Sequence, residues 1–170
     1  MKPNWEDVAN RHRACIALGA NLGERAPTLL RAVQMLRERD DVRVLAVSLF
    51  METDPVGGPP AQPRYVNGAA LLETSLTARE LLTLLLDIER ELGRDRSTPG
   101  RNLPRKVDLD VLLYDDEILN EADLKVPHPR LHERLFVLQP LAEIAPDWVH
   151  PVLKKRVGTL LSELKTSQAV

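Results

Sequence analysis

Hydrophobic positions fall into blocks whose period switches between two and about four along the chain. Ala14-Cys15-Ile16-Ala17-Leu18 is an apolar run closed by Gly19-Ala20-Asn21-Leu22-Gly23-Glu24-Arg25, a pattern that predicts a strand and a tight turn. Pro27 suits the first position of a helix, where its missing N–H costs nothing. Leu29, Leu30, Val33 and Leu36 then recur at helical spacing until Asp40-Asp41. Residues 42–53 alternate as one second strand, and residues 54–63, crowded with Pro and Gly, predict a long surface loop. Residues 65–74 predict a third strand. Ser75 or Thr77 can cap the next helix, whose stripe of Leu81, Leu82, Leu85, Leu86, Ile88 and Leu92 ends at Gly93.

Val107-Asp108-Leu109-Asp110-Val111-Leu112-Leu113-Tyr114 predicts a buried strand. Ile118-Leu119 predicts a short pairing strand, residues 130–138 a helix, and about 157–164 a last helix. The order is βαββαβ with helical material appended. It predicts an α+β ferredoxin-like sandwich, an antiparallel sheet with helices on one face and the other face free for a site. Residues 1–13 are assigned to a loose extension, 14–165 to a single domain and 166–170 to a tail.

Chemistry concentrates where that last strand begins. Side chains alternate along a strand, so Asp108 and Asp110 share a face with Cα atoms roughly 6.5–7 Å apart. Two carboxylates that close repel each other unless a cation lies between them or one takes a proton. Mg²⁺ suits such a pair, because it takes carboxylate oxygens and keeps sites for water and phosphate. A pair of solvated aspartates at a strand edge has the same sequence. Just upstream, residues 93–106 carry four arginines and a lysine among Gly and Pro. Guanidinium forks there suit phosphate oxygens, so the two stretches together favour a polyphosphate–metal complex over a bland basic loop. Tyr65 and Asn67 share a strand face. They suit a flat heterocycle, although a packed tyrosine and a turn asparagine fit the spacing equally. The Gly-rich turn at 19–23 lacks the lysine of a P-loop, and turn geometry is enough to explain it.

Composition narrows the classes. The chain has 170 residues, 44% of them hydrophobic, a net charge of −2 and a pI near 6.1, so any attraction for polyanions is local. The single cysteine, Cys15, permits no internal disulfide and reads as a small buried hydrophobe. No apolar run approaches a membrane span, and the N-terminus lacks a secretory signal pattern. A cytoplasmic protein is expected, a monomer with no nucleic-acid or membrane partner.

Several short pieces in fixed order carry a family resemblance. They are Ala17-Leu18-Gly19-Ala20-Asn21-Leu22-Gly23, Thr53-Asp54-Pro55-Val56-Gly57, Gln62-Pro63-Arg64-Tyr65-Val66-Asn67, Pro104-Arg105-Lys106-Val107-Asp108-Leu109-Asp110 and Val126-Pro127-His128-Pro129-Arg130-Leu131-His132-Glu133-Arg134. Over about residues 14–165 the chain resembles the 6-hydroxymethyl-7,8-dihydropterin pyrophosphokinases of folate synthesis. The resemblance implies transfer of pyrophosphate from ATP to the pterin hydroxymethyl group, releasing AMP. It implies that Asp108 and Asp110 bind two Mg²⁺ ions, and that Arg94 and Arg105 are catalytic arginines on the phosphates. It places Glu89, Arg96, Arg105, His128 and Arg134 at ATP. Thr53, Val56, Tyr65, Asn67 and Phe136 match the pterin pocket, with Tyr65 and Phe136 sandwiching the ring and Asn67 pairing with its edge. Asn102 and Leu103 stand where the family usually has Trp and Gly, and Leu86 where a Gln can face adenine. A binding module without catalysis and an RNA-binding domain share the topology. The second lacks the aromatic pair that such domains use for stacking.

Overall fold

The computed structural model describes residues 5–55, 61–93 and 107–169. A 3-10 turn at Val8–Asn10 leads into β1 (His12–Ala20), followed by α1 (Arg25–Arg37), β2 (Val42–Val47), β3 (Met51–Thr53) and β4 (Tyr65–Thr74). After these come α2 (Ala78–Glu91), β5 (Asp108–Tyr114) and a hairpin of β6 (Leu119–Asn120) with β7 (Lys125–Val126). A 3-10 turn at Leu131–Glu133, α3 (Leu135–Ile144) and α4 (Val157–Gln168) complete the chain. All pairings in the main sheet are antiparallel, in the order β2-β4-β1-β5, and β3 pairs with β4 beyond β2. This is the ferredoxin-like βαββαβ sandwich.

Local chemistry accounts for the elements. Thr77 caps α2 in a capping box: its hydroxyl accepts the Glu80 N–H at 3.1 Å and Glu80 Oε1 accepts the Thr77 N–H at 3.0 Å. That satisfies two donors the helix cannot. Behind the cap, Leu81, Leu84, Leu85 and Ile88 bury against the sheet with Leu29, Val33 and Leu36 of α1. Each such side chain contributes about 1.5–3 kcal/mol by leaving water. Gly23, at φ +70°, makes the turn after β1, a backbone shape that favours glycine.

Several local expectations differ from the observed elements; β1 begins at His12, inside the stretch assigned to a loose extension, and α4 runs to Gln168, into the assigned tail. β1 runs on to Ala20, so Gly19 lies in the strand rather than in the turn. α1 begins at Arg25, which puts Pro27 in its first turn, where the missing N–H is still harmless. The predicted second strand breaks at 48–50, where the Ser48 hydroxyl accepts the Ala69 N–H at 2.9 Å and donates to the Leu49 carbonyl at 2.9 Å; a side chain takes a ladder position there. The predicted helix at 130–138 is instead a 3-10 turn followed by α3, which continues through Pro140 to Ile144. Burial of Pro140 and Leu141 offsets the backbone hydrogen bond lost at the proline. Finally, α3 and α4 pack on the sheet face opposite α1 and α2, forming a second apolar cluster with Cys15, Ala69, Leu71 and Leu113. The face expected to be free is therefore partly roofed.

Cys15 is fully buried, and burial pushes its thiol up to about 12, in keeping with a core role. No helix among the described residues is long and apolar enough to cross a membrane.

Candidate active site

The site is a trough on the roofed face, and cross-strand register builds it. Directly paired residues of adjacent strands point to the same side. Asp108 of β5 pairs with Gly19 of β1, and Gly19 with Asn67 of β4; one row along, Asp110 pairs with Ala17, and Ala17 with Ala69. Small residues thus occupy the middle of the sheet between the aspartates and Asn67. Glycine at position 19 eases this approach, because a Cβ there would sit 3.2 Å from Asn67 Oδ1 and press the amide to shift by a few tenths of an ångström. Neither the emptiness of this floor nor its register is readable from one strand at a time. The recurrence of small residues at positions 17 and 19 was the available signal.

The roof supplies the opposing groups. Asp108, Asp110, His128, Arg134, Phe136 and Asn67 line one cleft. His128 is held by its own N–H, which donates to the Leu112 carbonyl of β5 at 2.9 Å. Its Nδ1 accepts the Arg130 N–H at 3.2 Å. Burial lowers the His128 pKa, Arg134 adds to that, and Asp108 opposes it. The ring is therefore neutral near pH 7, with the proton on Nε2. Burial also lowers the Arg134 pKa, reinforced by Arg130 and opposed by Asp110 and Asp108. Arg134 remains charged, with its guanidinium carbon 5.7 Å from the Phe136 ring centroid. The open space among these groups is about 50 Å³, room for a few waters and not for a bicyclic ring.

Other expected site residues sit around this cleft. Thr53, at the end of β3, accepts a hydrogen bond from the Asn67 side-chain amide. Tyr65 starts β4 opposite Thr53, on the same face as Asn67 but outside the cleft lining. Glu89 is 1% exposed and lies behind β5, where its Oε1 accepts the Leu109 N–H at 2.9 Å. Val56, Arg94, Arg96 and Arg105 lie outside the described residues, as do Asn102 and Leu103.

Sequence reasoning did not single out the residues that hold the frame. Asn21 is fully buried and donates to Gln62 Oε1 at 3.2 Å and to the Pro63 carbonyl at 3.3 Å, securing the approach to Tyr65. Glu143 of α3 accepts the Leu49 N–H at 3.0 Å, which ties the roof to the break between β2 and β3. These bonds join residues 41 and 94 positions apart, and no local pattern announces them.

A family model described as 7,8-dihydro-6-hydroxymethylpterin-pyrophosphokinase matches residues 15–146. The chain belongs to this family. It is 50% identical over 131 residues to the 2-amino-4-hydroxy-6-hydroxymethyldihydropteridine pyrophosphokinase of Bacillus subtilis, with 77% of each chain covered. Against the Pseudomonas aeruginosa protein of the same name it is 44% identical over 135 residues, covering 79% of this chain and 82% of that one. A crystal structure of Plasmodium falciparum HPPK-DHPS with pterin and p-hydroxybenzoate superposes with a TM-score of 0.71 at 14% identity. That likeness is one of fold. It covers 94% of this chain and 43% of the Plasmodium chain, so the present protein spans less than half of that longer one. Within the pyrophosphokinase family match fall both strand aspartates, His128, Arg134 and Phe136.

Proposed function

We propose that this chain transfers the terminal pyrophosphoryl group of ATP to the hydroxymethyl oxygen of 6-hydroxymethyl-7,8-dihydropterin, giving AMP and the pterin diphosphate. The bond formed joins the pterin oxygen to the β-phosphorus. The bond broken joins that phosphorus to the oxygen bridging to the α-phosphate, and the hydroxyl proton is released. The observation that carries the reading is the placement of Asp108 and Asp110 on one strand face, opposite His128 and Arg134 across a single cleft.

The donor set fits Mg²⁺. Two carboxylates face the cleft, and no group of three or more His, Cys, Asp or Glu side chains is gathered among the described residues. That suits an ion that completes its shell with water and phosphate oxygens. When bound, Mg²⁺ offsets charge on the phosphate oxygens and on the attacking hydroxyl.

The protein's own groups align and screen, which is most of what phosphoryl transfer asks of an enzyme. Arg134 offers a fixed cation to the phosphates, and His128 Nε2 a neutral donor. Arg94, Arg96 and Arg105 join this reading through their sequence positions. On the pterin side, Asn67 is oriented by Thr53 and presents its amide group to the ring edge, with Val56 and Tyr65 assigned to the same pocket. Entry of the ring requires the cleft lining to open, and Phe136, half-buried at the start of α3, is the lining side chain that can stack on the ligand.

An AMP-release assay with ATP, Mg²⁺ and the reduced pterin alcohol tests the proposal. AMP formed one-for-one with pterin diphosphate is expected. ADP as product, or ATP breakdown indifferent to the pterin, overturns it.

A further inference from the structure

Strand β5 carries both aspartates and, among the described residues, is an outer strand of the sheet, paired with β1 alone. Alternate amides of such a strand point away from its neighbour and need another acceptor. Leu109, between the two aspartates, gives its N–H to Glu89 Oε1 at 2.9 Å. Glu89 follows Leu85 by one helical turn on the packed face of α2, where Leu81, Leu85 and Ile88 are core residues. A carboxylate at 1% exposure in the last turn of a helix is in a costly place, short of water and at the negative end of the dipole. Core packing alone favours a leucine there.

We propose that Glu89 is a positioning residue. By taking the Leu109 amide from outside the sheet, it fixes the rotation of β5 and hence the direction in which Asp108 and Asp110 present their oxygens. The consequence for catalysis rests on the pyrophosphokinase reading, whereas the grip on the strand does not. Glu89 thus acts on the metal site through the backbone, from the side of the sheet opposite the substrates. This differs from a direct contact with the nucleotide.

Two variants test it. Glu89→Gln keeps a carbonyl oxygen able to accept the same N–H and removes the charge, whereas Glu89→Leu keeps the bulk and removes the acceptor. Amide hydrogen exchange at Leu109, measured without ligands, should quicken about tenfold or more in Glu89→Leu and stay near wild type in Glu89→Gln. The Mg²⁺ concentration giving half-maximal AMP release should rise about tenfold in the leucine variant, with kcat reduced and KM for the pterin unchanged, and the glutamine variant should rescue both. If Glu89→Leu does not fold, Glu89→Gln decides: protection at Leu109 and a wild-type Mg²⁺ response support the proposal. A glutamine variant with Leu109 still protected and a raised KM for ATP overturns it, since the charge then acts on the nucleotide. A wild-type protein that releases no AMP sinks the reaction reading and leaves the exchange result standing.

Discussion

The Asn67 carboxamide donates to the Thr53 hydroxyl across the β3–β4 ladder. Asn67 is 8% exposed, so this bond decides which way its amide points. Thr53→Val removes the acceptor at nearly constant volume and leaves a half-satisfied amide in the trough, at a cost of about 1–3 kcal/mol. Pterin affinity measured by calorimetry should fall about tenfold or more, with affinity for a non-hydrolysable ATP analogue unchanged. Equal losses for both ligands would show that the change had spread beyond the pterin side.

Asp110→Ala and Asp108→Ala should each lower AMP release by on the order of 10³-fold, the scale of several kcal/mol of charge stabilisation. The circular dichroism spectrum should stay that of the parent. Chelating divalent ions with EDTA should abolish turnover and leave the thermal midpoint in place, because the two aspartates form no closed metal cage with other described side chains. Full activity of Asp110→Ala in Mg²⁺ would falsify the assignment of the strand.

Gly68→Ala probes the sheet floor. A Cβ there sits 2.6 and 2.9 Å from two carbons of the Phe50 ring, which is stiff and packed against the core. The ring has to move, and the expected loss is about 1–3 kcal/mol in urea unfolding. A midpoint equal to that of the parent would mean that Phe50 repacks freely.

His150 makes stability depend on pH. It is 5% exposed, and its Nδ1 accepts the N–H groups of Val152 at 3.2 Å and Leu153 at 3.0 Å, so the ring is neutral. Burial lowers its pKa from 6.5, and His132 adds to the shift. The unfolded chain therefore takes up the proton first as pH falls. The stabilisation is complete above 6.5 and is lost as pH drops through the lower folded-state value. Calorimetric Tm should decline between about pH 7 and 5. Asn at this position can accept the same local amides, so His150→Asn should flatten the decline; a parallel decline in the variant would place its origin elsewhere.

Much of this protein was legible in its sequence because its elements advertise themselves locally. The leucine stripe and Thr77 cap announce α2, and alternation places Asp108 and Asp110 on one face. The motif order carried the family. What stayed hidden depends on pairs far apart in sequence. The break at Ser48 is stabilised by Ala69, the roofing of the second face by α3 against β4, and the burial of Glu89 by a strand that begins 19 residues later. The continuation of α3 beyond Leu138 was obscured by Pro140, whose local preference is overridden by the apolar cluster it enters.

Two main-chain groups of β5 are engaged away from β1: Leu109 gives its hydrogen to Glu89, and Leu112 offers its oxygen to His128. A border strand with free main-chain groups is a template on which a foreign polypeptide can add itself. Here the bonds at Leu109 and Leu112 withdraw two of the groups such an addition would use, so the same contacts that brace the strand beside the acids also blunt its edge against fibril-like growth.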